Sequence, residues 1–381
     1  MALAVSGGSD SMALLRLSAQ WASTHHPGLR LSVLTVDHGL RAAAAEEAAT
    51  VGRWAEALGL PHHVLRWEGP KPESGIQARA RAARYGLLTG WCRAEGAGLL
   101  LTGHTQDDQA ETVLMRLSRT LSPESLSGIP RHGAWDGLPL FRPLLGATRA
   151  DLRAHLTALG QAWVDDPSNI DPRFERVRVR TALATRDDTI TRERLAALAE
   201  ASARTATLLE RCARSWISQH LQEDVAGLCH VPAEAFHVIP SALRQRILAH
   251  VIRHYSGGGQ PEADEIRRVL GWLGAAPGQG APRCTLGGAL LGRRQKSFWI
   301  TREPGRIDPT PLRVPDSGTI LWDGRFRITA PPGAAVTPAA TRPVPVAGDV
   351  PAPARRAYPH VELPPGAFGP VAVAFLPLAC R

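Results

Sequence analysis

The sequence predicts an α/β fold: a parallel sheet with helices on both faces, followed by a helical domain and a small β-rich C-terminal module. Three observations carry this. Short apolar, β-rich runs alternate with helical periodicities up to about residue 145. From about residue 190 long amphipathic helical patterns take over. Beyond residue 304 the chain turns to short strand-like runs, a two-residue turn and proline-rich connections. At 381 residues the chain is too long for a single core. The boundaries expected are 1–185, 186–303 and 304–381.

Leu3 to Val5 reads as the first strand. It is short, because only five residues precede the loop that follows. Ser6 to Ser9 is a small-residue loop leading into a helix, with Asp10 or Ser11 placed as its N-cap. Such a loop leaves backbone N–H groups turned one way, and the helix dipole adds partial positive charge there. Gly7 and Gly8 let a phosphate approach the backbone closely. The local physics therefore points to an anion site for nucleotide phosphate. An ordinary strand–turn–helix junction would share the two glycines, and only the rest of the chain separates the readings. There is no G-x-x-x-x-G-K-[ST], no lysine before Lys71 and no G-x-G-x-x-G after a strand.

Leu31 to Val36 is a second strand, Ala42 to Leu58 a helix, His63 to Trp67 a strand, Ile76 to Ala94 a helix, Leu99 to Thr102 a strand and Thr105 to Arg119 a helix. In parallel sheets ligands sit beyond the carboxyl ends of the strands. Asp37 falls there, as a ligand-facing carboxylate or as a turn residue. So does Thr102-Gly-His-Thr-Gln-Asp-Asp-Gln-Ala-Glu-Thr112. Helical spacing brings Asp107, Asp108 and Glu111 together, where they repel one another unless a cation intervenes. Mg²⁺ suits the site, because it takes one or two carboxylates plus phosphate oxygens and water. The competing reading is acidic residues favoured by the dipole of a helix start. His104 touches phosphate or caps the helix. Arg81 and Arg84, one turn apart, are a solvated basic face or a grip on ATP or RNA backbone. Arg176-Val-Arg-Val-Arg180 alternates with period two, which predicts an extended segment with one row of arginines.

The S-G-G-x-D-S loop resembles the pyrophosphate loop of N-type ATP pyrophosphatases. With it occur, in order, Val36 to Arg41, Gly75 to Tyr85, His104 to Thr112, Leu126-Ser-Gly-Ile-Pro130, Arg142-Pro-Leu-Leu145 and Asp165-Asp-Pro-Ser-Asn169. As a set, over about residues 1 to 180, these resemble the tRNA(Ile)-lysidine synthetase family. The resemblance implies ATP as co-substrate, an adenylated tRNA intermediate, free lysine, and a tRNA(Ile) with a CAU anticodon as partner. It implies ATP binding by Ser6, Gly7, Gly8, Ser9, Asp10, Ser11 and His104. Asp37, Asp108 and Glu111 become the catalytic candidates, with Asp108 and Glu111 also the metal candidates. Arg81, Arg84, Arg176, Arg178 and Arg180 become the tRNA candidates. How Asp37, Asp108 and Glu111 divide their roles stays open.

Farther along, Glu193 to Leu221, Ala242 to Tyr255 and Glu262 to Leu273 read as helices. Thr285 to Leu291 and Ser297 to Thr301 read as two strands of a hairpin. Thr319 to Trp322, Asp323-Gly324 and Arg325 to Thr329 read as a second hairpin. Residues 330–356 are expected to be irregular. The net charge of +9 suits a polyanionic partner. Five cysteines stand singly, which argues against zinc ribbons, iron–sulfur clusters and the paired cysteines of sulfur-transfer enzymes. No run of eighteen apolar residues and no leader pattern occurs, so the expectation is a cytoplasmic protein without a membrane span. Self-association into a homodimer is left open by the sequence. Two other functions stay in view: a different adenylating enzyme with the same loop, and a non-catalytic RNA-binding protein on a degenerate version of it.

Overall fold

The structure is a computed structural model and describes residues 1–39, 44–69, 76–165, 175–185, 191–257, 261–275, 282–294, 296–340, 342, 344 and 350–378. The chain divides into two compact units, Met1–Ala206 and Thr207–Arg381.

The first unit runs β1 (Ala2–Ala4), α1 (Ser9–His25), β2 (Ser32–Asp37), α2 (Ala44–Glu56), β3 (His62–Arg66), α3 (Ile76–Ala94), β4 (Leu100–Thr102), α4 (Gln106–Leu117), α5 (Pro123–Leu126), β5 (His132–Trp135), β6 (Leu138–Phe141), α6 (Arg149–Ala158) and α7 (Glu175–Thr185). The strands form one sheet in the order β3-β2-β1-β4-β6-β5. All neighbours are parallel except the β5–β6 pair. Strand β1 shows why helices must cover both faces. Leu3 and Val5 pack with Met12, Leu15, Val51, Leu101 and Leu156 on one side. Ala2 and Ala4 pack with Leu34, Tyr85, Leu88 and Leu100 on the other. Alternate residues point to opposite faces, and both faces are dry. Helices α1, α2 and α6 cover the first face and α3 the second. The strand order reverses between β1 and β4, where a parallel sheet opens a crevice at its carboxyl ends.

Helix α8 (Arg192–His220) crosses the division between the units. The second unit continues with β7 (Gln222–Glu223), β8 (Leu228–Pro232), α9 (Ala233–His237), α10 (Ser241–Tyr255), α11 (Ala263–Gly274), β9 (Arg283–Leu286), β10 (Ala289–Arg293) and β11 (Ser297–Arg302). These strands order as β7-β8-β11-β10-β9. Ile247, Val251 and Ile252 of α10 and Ile266 and Val269 of α11 pack on Phe298 and Ile300 of β11. Then come β12 (Leu312–Arg313), β13 (Thr319–Trp322), β14 (Phe326–Thr329), β15 (Ala335–Pro338), α12 (Ala352–Arg356), β16 (Pro359–Glu362) and β17 (Ala372–Phe375), which form two three-stranded sheets. A hairpin forms at Asp323-Gly324, both at positive φ, but not the two-residue one expected: Trp322 pairs with Phe326, so Asp323, Gly324 and Arg325 connect the strands, with Arg325 N donating to Trp322 O at 3.1 Å. Among the described residues no helix is long and apolar enough to cross a membrane.

Four other local expectations are corrected. Helix α1 is capped by Gly8, without a side-chain cap, and Asp10 and Ser11 lie inside its first turn. The Arg176–Arg180 stretch belongs to helix α7, not to an extended segment. Val179 and Leu183, four residues apart, join Ala110 and Val113 of α4 in one cluster, and that burial overrides the local period of two. Thr285–Leu291 is split by a turn at Gly287-Gly288, both at positive φ, so it supplies parts of β9 and β10. Residues 330–356 hold β15 and α12 where irregular chain was expected.

Candidate active site

The loop after β1 is shaped by its glycines. Gly7 has φ of 92°, and a Cβ there would lie 3.2 Å from a methyl of Val51 and 3.4 Å from one of Val164. Ser6 N donates to Ser11 Oγ at 3.2 Å, and Ser11 Oγ donates to Gly8 O at 2.9 Å. The first-turn N–H groups of α1 have no partner within the helix, which is the usual basis of an anion site. Gly103, at the end of β4, meets this loop from the other side. A Cβ on Gly103 would sit 2.9 Å from Asp10 O and 3.2 Å from Ser11 Cα, both backbone atoms. That approach brings His104 and the start of α4 against the loop.

Helix α4 begins with a reciprocal capping box between Thr105 and Asp108. Asp108 Oδ2 accepts from Thr105 N at 2.9 Å and from Thr105 Oγ1 at 3.2 Å. Its Oδ1 lies 3.8 Å from Arg149 Nη2. Asp107 Oδ2 accepts from Arg149 N at 2.7 Å, and its Oδ1 pairs with Arg192 Nε at 3.3 Å. Glu111 is only 2% exposed. Its Oε1 accepts from Arg180 Nε at 2.8 Å, with Arg149 Nη1 at 3.9 Å; Arg176 Nε lies 3.9 Å from Oε2. Arg149 also donates to Asp10 at 3.0 Å, so a single guanidinium touches three acids from two elements. Four carboxylates, Asp10, Asp107, Asp108 and Glu111, thus meet four guanidiniums, Arg149, Arg176, Arg180 and Arg192. The arginines relieve the repulsion that the acidic spacing alone implies. Burial raises the Asp10 pKa despite the opposing charge of Arg149.

His104 shares a 2.9 Å hydrogen bond with Thr102 Oγ1 through its Nδ1. Burial, helped by the charges of Arg142, Arg84 and Arg81 and opposed by Asp108, pushes its pKa down to about 4. The imidazole is therefore neutral at physiological pH, in a cationic setting suited to phosphate. Burial also lowers the Arg84 pKa. The Arg81 guanidinium lies 5.0 Å from the ring centre of Tyr85, which stacks on Trp135. Arg142 is buried: its Nη1 donates to Pro130 O at 2.8 Å, while its Nε has no hydrogen-bond partner among the described residues.

The structure brings Ser6 to Ser11, His104, Asp108, Glu111, Arg176 and Arg180 together. Arg176 and Arg180 share a face of α7 that excludes Arg178. Asp37 is engaged in a turn: its Oδ1 accepts from Gly39 N at 2.8 Å, with Arg66 Nε 3.9 Å from Oδ2. The rest of the Val36–Arg41 stretch, Gly75 and residues 166–169 lie wholly or partly outside the described residues. Sequence reasoning missed Arg149 and the cap Thr105, and quoted Arg142 only as the start of a stretch, without a role. A Thr148-x-x-Asp151 start to α6 is legible and is a true cap. Nothing local says which carboxylates the arginine after that threonine will meet.

Residues 1–186 match the family model of the PP-loop domain. The chain is 41% identical over 326 residues to the tRNA(Ile)-lysidine synthase of Bradyrhizobium diazoefficiens, covering 82% of this chain and 90% of that one. It is 42% identical over 310 residues to the enzyme of that name from Methylobacterium nodulans, covering 80% and 90%. With that of Ruegeria pomeroyi the identity is 38% over 336 residues, covering 87% and 77%. A pyrophosphate-type loop, an acidic helix start opposite it, and likeness along most of three relatives agree: this chain belongs to the tRNA(Ile)-lysidine synthase family.

Proposed function

We propose that the protein makes lysidine at the wobble cytidine of a tRNA(Ile) with a CAU anticodon, consuming ATP and lysine and releasing pyrophosphate and AMP. The convergence of the Ser6–Ser11 loop and the acidic start of α4 at the β1–β4 crevice carries this reading, in a chain of this family. The cytosine O2 attacks the α-phosphorus of ATP, and the bond to pyrophosphate breaks. The ε-amine of lysine then attacks carbon 2, and AMP leaves with the oxygen. Loop amides and the cationic surroundings of His104 suit charge growing on the departing phosphates. Lysine's ammonium must lose a proton before attack, which calls for a nearby carboxylate. Asp37, Asp108 and Glu111 are the carboxylates we assign to lysine binding, proton removal and metal binding.

Among the described residues no group of three or more His, Cys, Asp or Glu is arranged to hold a metal. Mg²⁺ needs no such cage when phosphate supplies the remaining oxygens. Asp108 Oδ1 stands outside the capping box, and Glu111 Oε2 is buried with no hydrogen-bond partner among the described residues. Those two oxygens fit the donor set, and we assign Mg²⁺ to them. Bound there, Mg²⁺ would neutralise phosphate charge.

We assign Arg81, Arg84, Arg176, Arg178 and Arg180 to RNA near the crevice, and residues 186–303 and 304–381 to the body of the tRNA. A tRNA substrate also supports a cytoplasmic site of action. The test is incubation with ATP, labelled lysine and a tRNA(Ile) transcript carrying CAU. ATP-dependent label in that transcript, absent when the wobble base is uridine, is the expected result. No transfer, or transfer without ATP, would overturn the assignment.

A further inference from the structure

Helix α6 lays two arginines, Arg149 and Arg153, one turn apart along the loop after β1. Arg149 Nε donates to Asp10 Oδ2 at 3.0 Å. Arg153 Nε donates to Ser9 Oγ at 3.3 Å, and Ser9 Oγ donates to Asp10 Oδ1 at 3.1 Å. Both arginines therefore close on the Ser9–Asp10 pair. Arg153 does more than this. Its Nη2 donates to Asp165 Oδ1 at 3.0 Å, and its guanidinium lies 5.7 Å from the ring centre of Trp163. Between those two residues, Val164 N donates to Gly7 O at 2.9 Å. The Trp163–Asp165 strap is thus fastened to the loop twice, by its backbone at Gly7 and through Arg153 at Ser9. Strap and glycine are mutually fitted, since the Val164 methyl lies 3.4 Å from the place a Gly7 Cβ would occupy.

We infer that Arg153 is a positioning residue of the phosphate loop: it locks Ser9 and the Trp163–Asp165 strap into one unit, so the loop meets the pyrophosphate of ATP already shaped. This rests on the reading of Ser6–Ser11 as the phosphate site. The chain has no P-loop lysine that could order the loop around phosphate by charge alone. A fork spanning Ser9 and Asp165 in two directions needs the planar guanidinium; a lysine ammonium is a single point and cannot reach both.

The test compares wild type, Arg153→Gln, Arg153→Lys, Asp165→Asn and the Arg153→Gln/Asp165→Asn double variant as full chains. ATP affinity is measured by calorimetry with a non-cleavable α,β-methylene analogue. KM for ATP and lysine, kcat, tRNA affinity and melting temperature are measured beside it. Arg153→Gln and Arg153→Lys should both weaken nucleotide binding by about tenfold, raising KM for ATP while KM for lysine, tRNA affinity and melting temperature hold. The double variant should be little worse than the worse single variant, because both changes release the same strap. Wild-type affinity in Arg153→Lys, or independent losses that multiply in the double variant, would overturn the inference. Failure of the wild-type chain to bind the analogue would instead overturn the reading of the loop, which keeps the two outcomes apart.

Discussion

Asp108 divides its two carboxylate oxygens between local structure and the crevice. Oδ2 closes the capping box with Thr105, and Oδ1 faces Arg149. An Asp108→Asn substitution keeps an acceptor for the cap and removes the charge. Its cost in stability should stay within about 1 kcal/mol, while lysine incorporation falls by about 100-fold or more and tRNA affinity is unchanged. Labelled-lysine transfer beside urea denaturation reads both effects, and near-normal turnover would remove Asp108 from the chemistry. His104 makes a different prediction. Its pKa of about 4 in the fold, against 6.5 ordinarily, is set first by burial. The unfolded chain takes up a proton between pH 6.5 and about 4 that the folded chain does not. Stability is therefore fully present above pH 6.5 and is lost as pH falls through that window, by up to about 3 kcal/mol from this group. Urea denaturation at pH 7 and pH 4.5 should show a smaller drop for His104→Asn than for wild type.

At the scale of elements, α7 turns an alternating arginine row into a helical face. Arg176 and Arg180 lie one turn apart and hold Glu111, which is 2% exposed. Removing Arg180 takes the 2.8 Å hydrogen bond from a buried carboxylate and leaves it the 3.9 Å contacts to Arg149 and Arg176, which costs more than removing both members of the pair. Arg180→Gln should therefore cost about 2 kcal/mol. The Glu111→Gln/Arg180→Gln double variant should recover part of that, with a coupling energy above about 1 kcal/mol. Chemical denaturation of the four proteins of the cycle measures it, and strict additivity would mean that the pair contributes nothing. The arrangement also bears on tRNA contact: an arginine holding Glu111 can meet RNA only with the edge it leaves over.

For the whole molecule, the division at Ala206/Thr207 inside α8 decides where the chain can be cut. Leu195 and Ala199 belong to the cluster of Ala110, Val113, Leu126 and Leu183 beneath α4. A cut near residue 190 would strip that cluster and disturb the acidic start of α4 with it. A cut after residue 206 should spare it. The 1–206 fragment should keep the nucleotide affinity of the full chain within about threefold, yet lose at least about tenfold in tRNA affinity as the salt-dependent phosphate contacts go. Filter binding across a salt series, beside calorimetry with the ATP analogue, would measure this. Equal tRNA affinity for the fragment would refute the assignment of tRNA to residues beyond the catalytic part.

Much of the catalytic half was legible locally. Periodicity marks β1 to β4 and α1 to α4 because both faces of a parallel sheet must be apolar and each covering helix needs one apolar stripe. The positions of Ser6–Ser11 and His104–Glu111 were legible because glycine at a strand–helix turn and acids at a helix start answer to local physics. The position of the turn at Asp323-Gly324 was legible for the same reason, since two residues at positive φ select it, but its length was not: Arg325 joins the connection instead of opening the strand. Tertiary structure alone decided three matters. It made Arg176–Arg180 a helix, because burial of Val179 and Leu183 against α4 outweighs a five-residue alternation. It set Arg149 among Asp10, Asp108 and Glu111, since a guanidinium reaching 139 residues back leaves no trace in spacing. It also put Arg66 of the neighbouring strand 3.9 Å from Asp37 Oδ2, a partner that position at the end of β2 does not name. Local patterns encode which backbone forms; the partners of a charged side chain are settled only where distant segments meet.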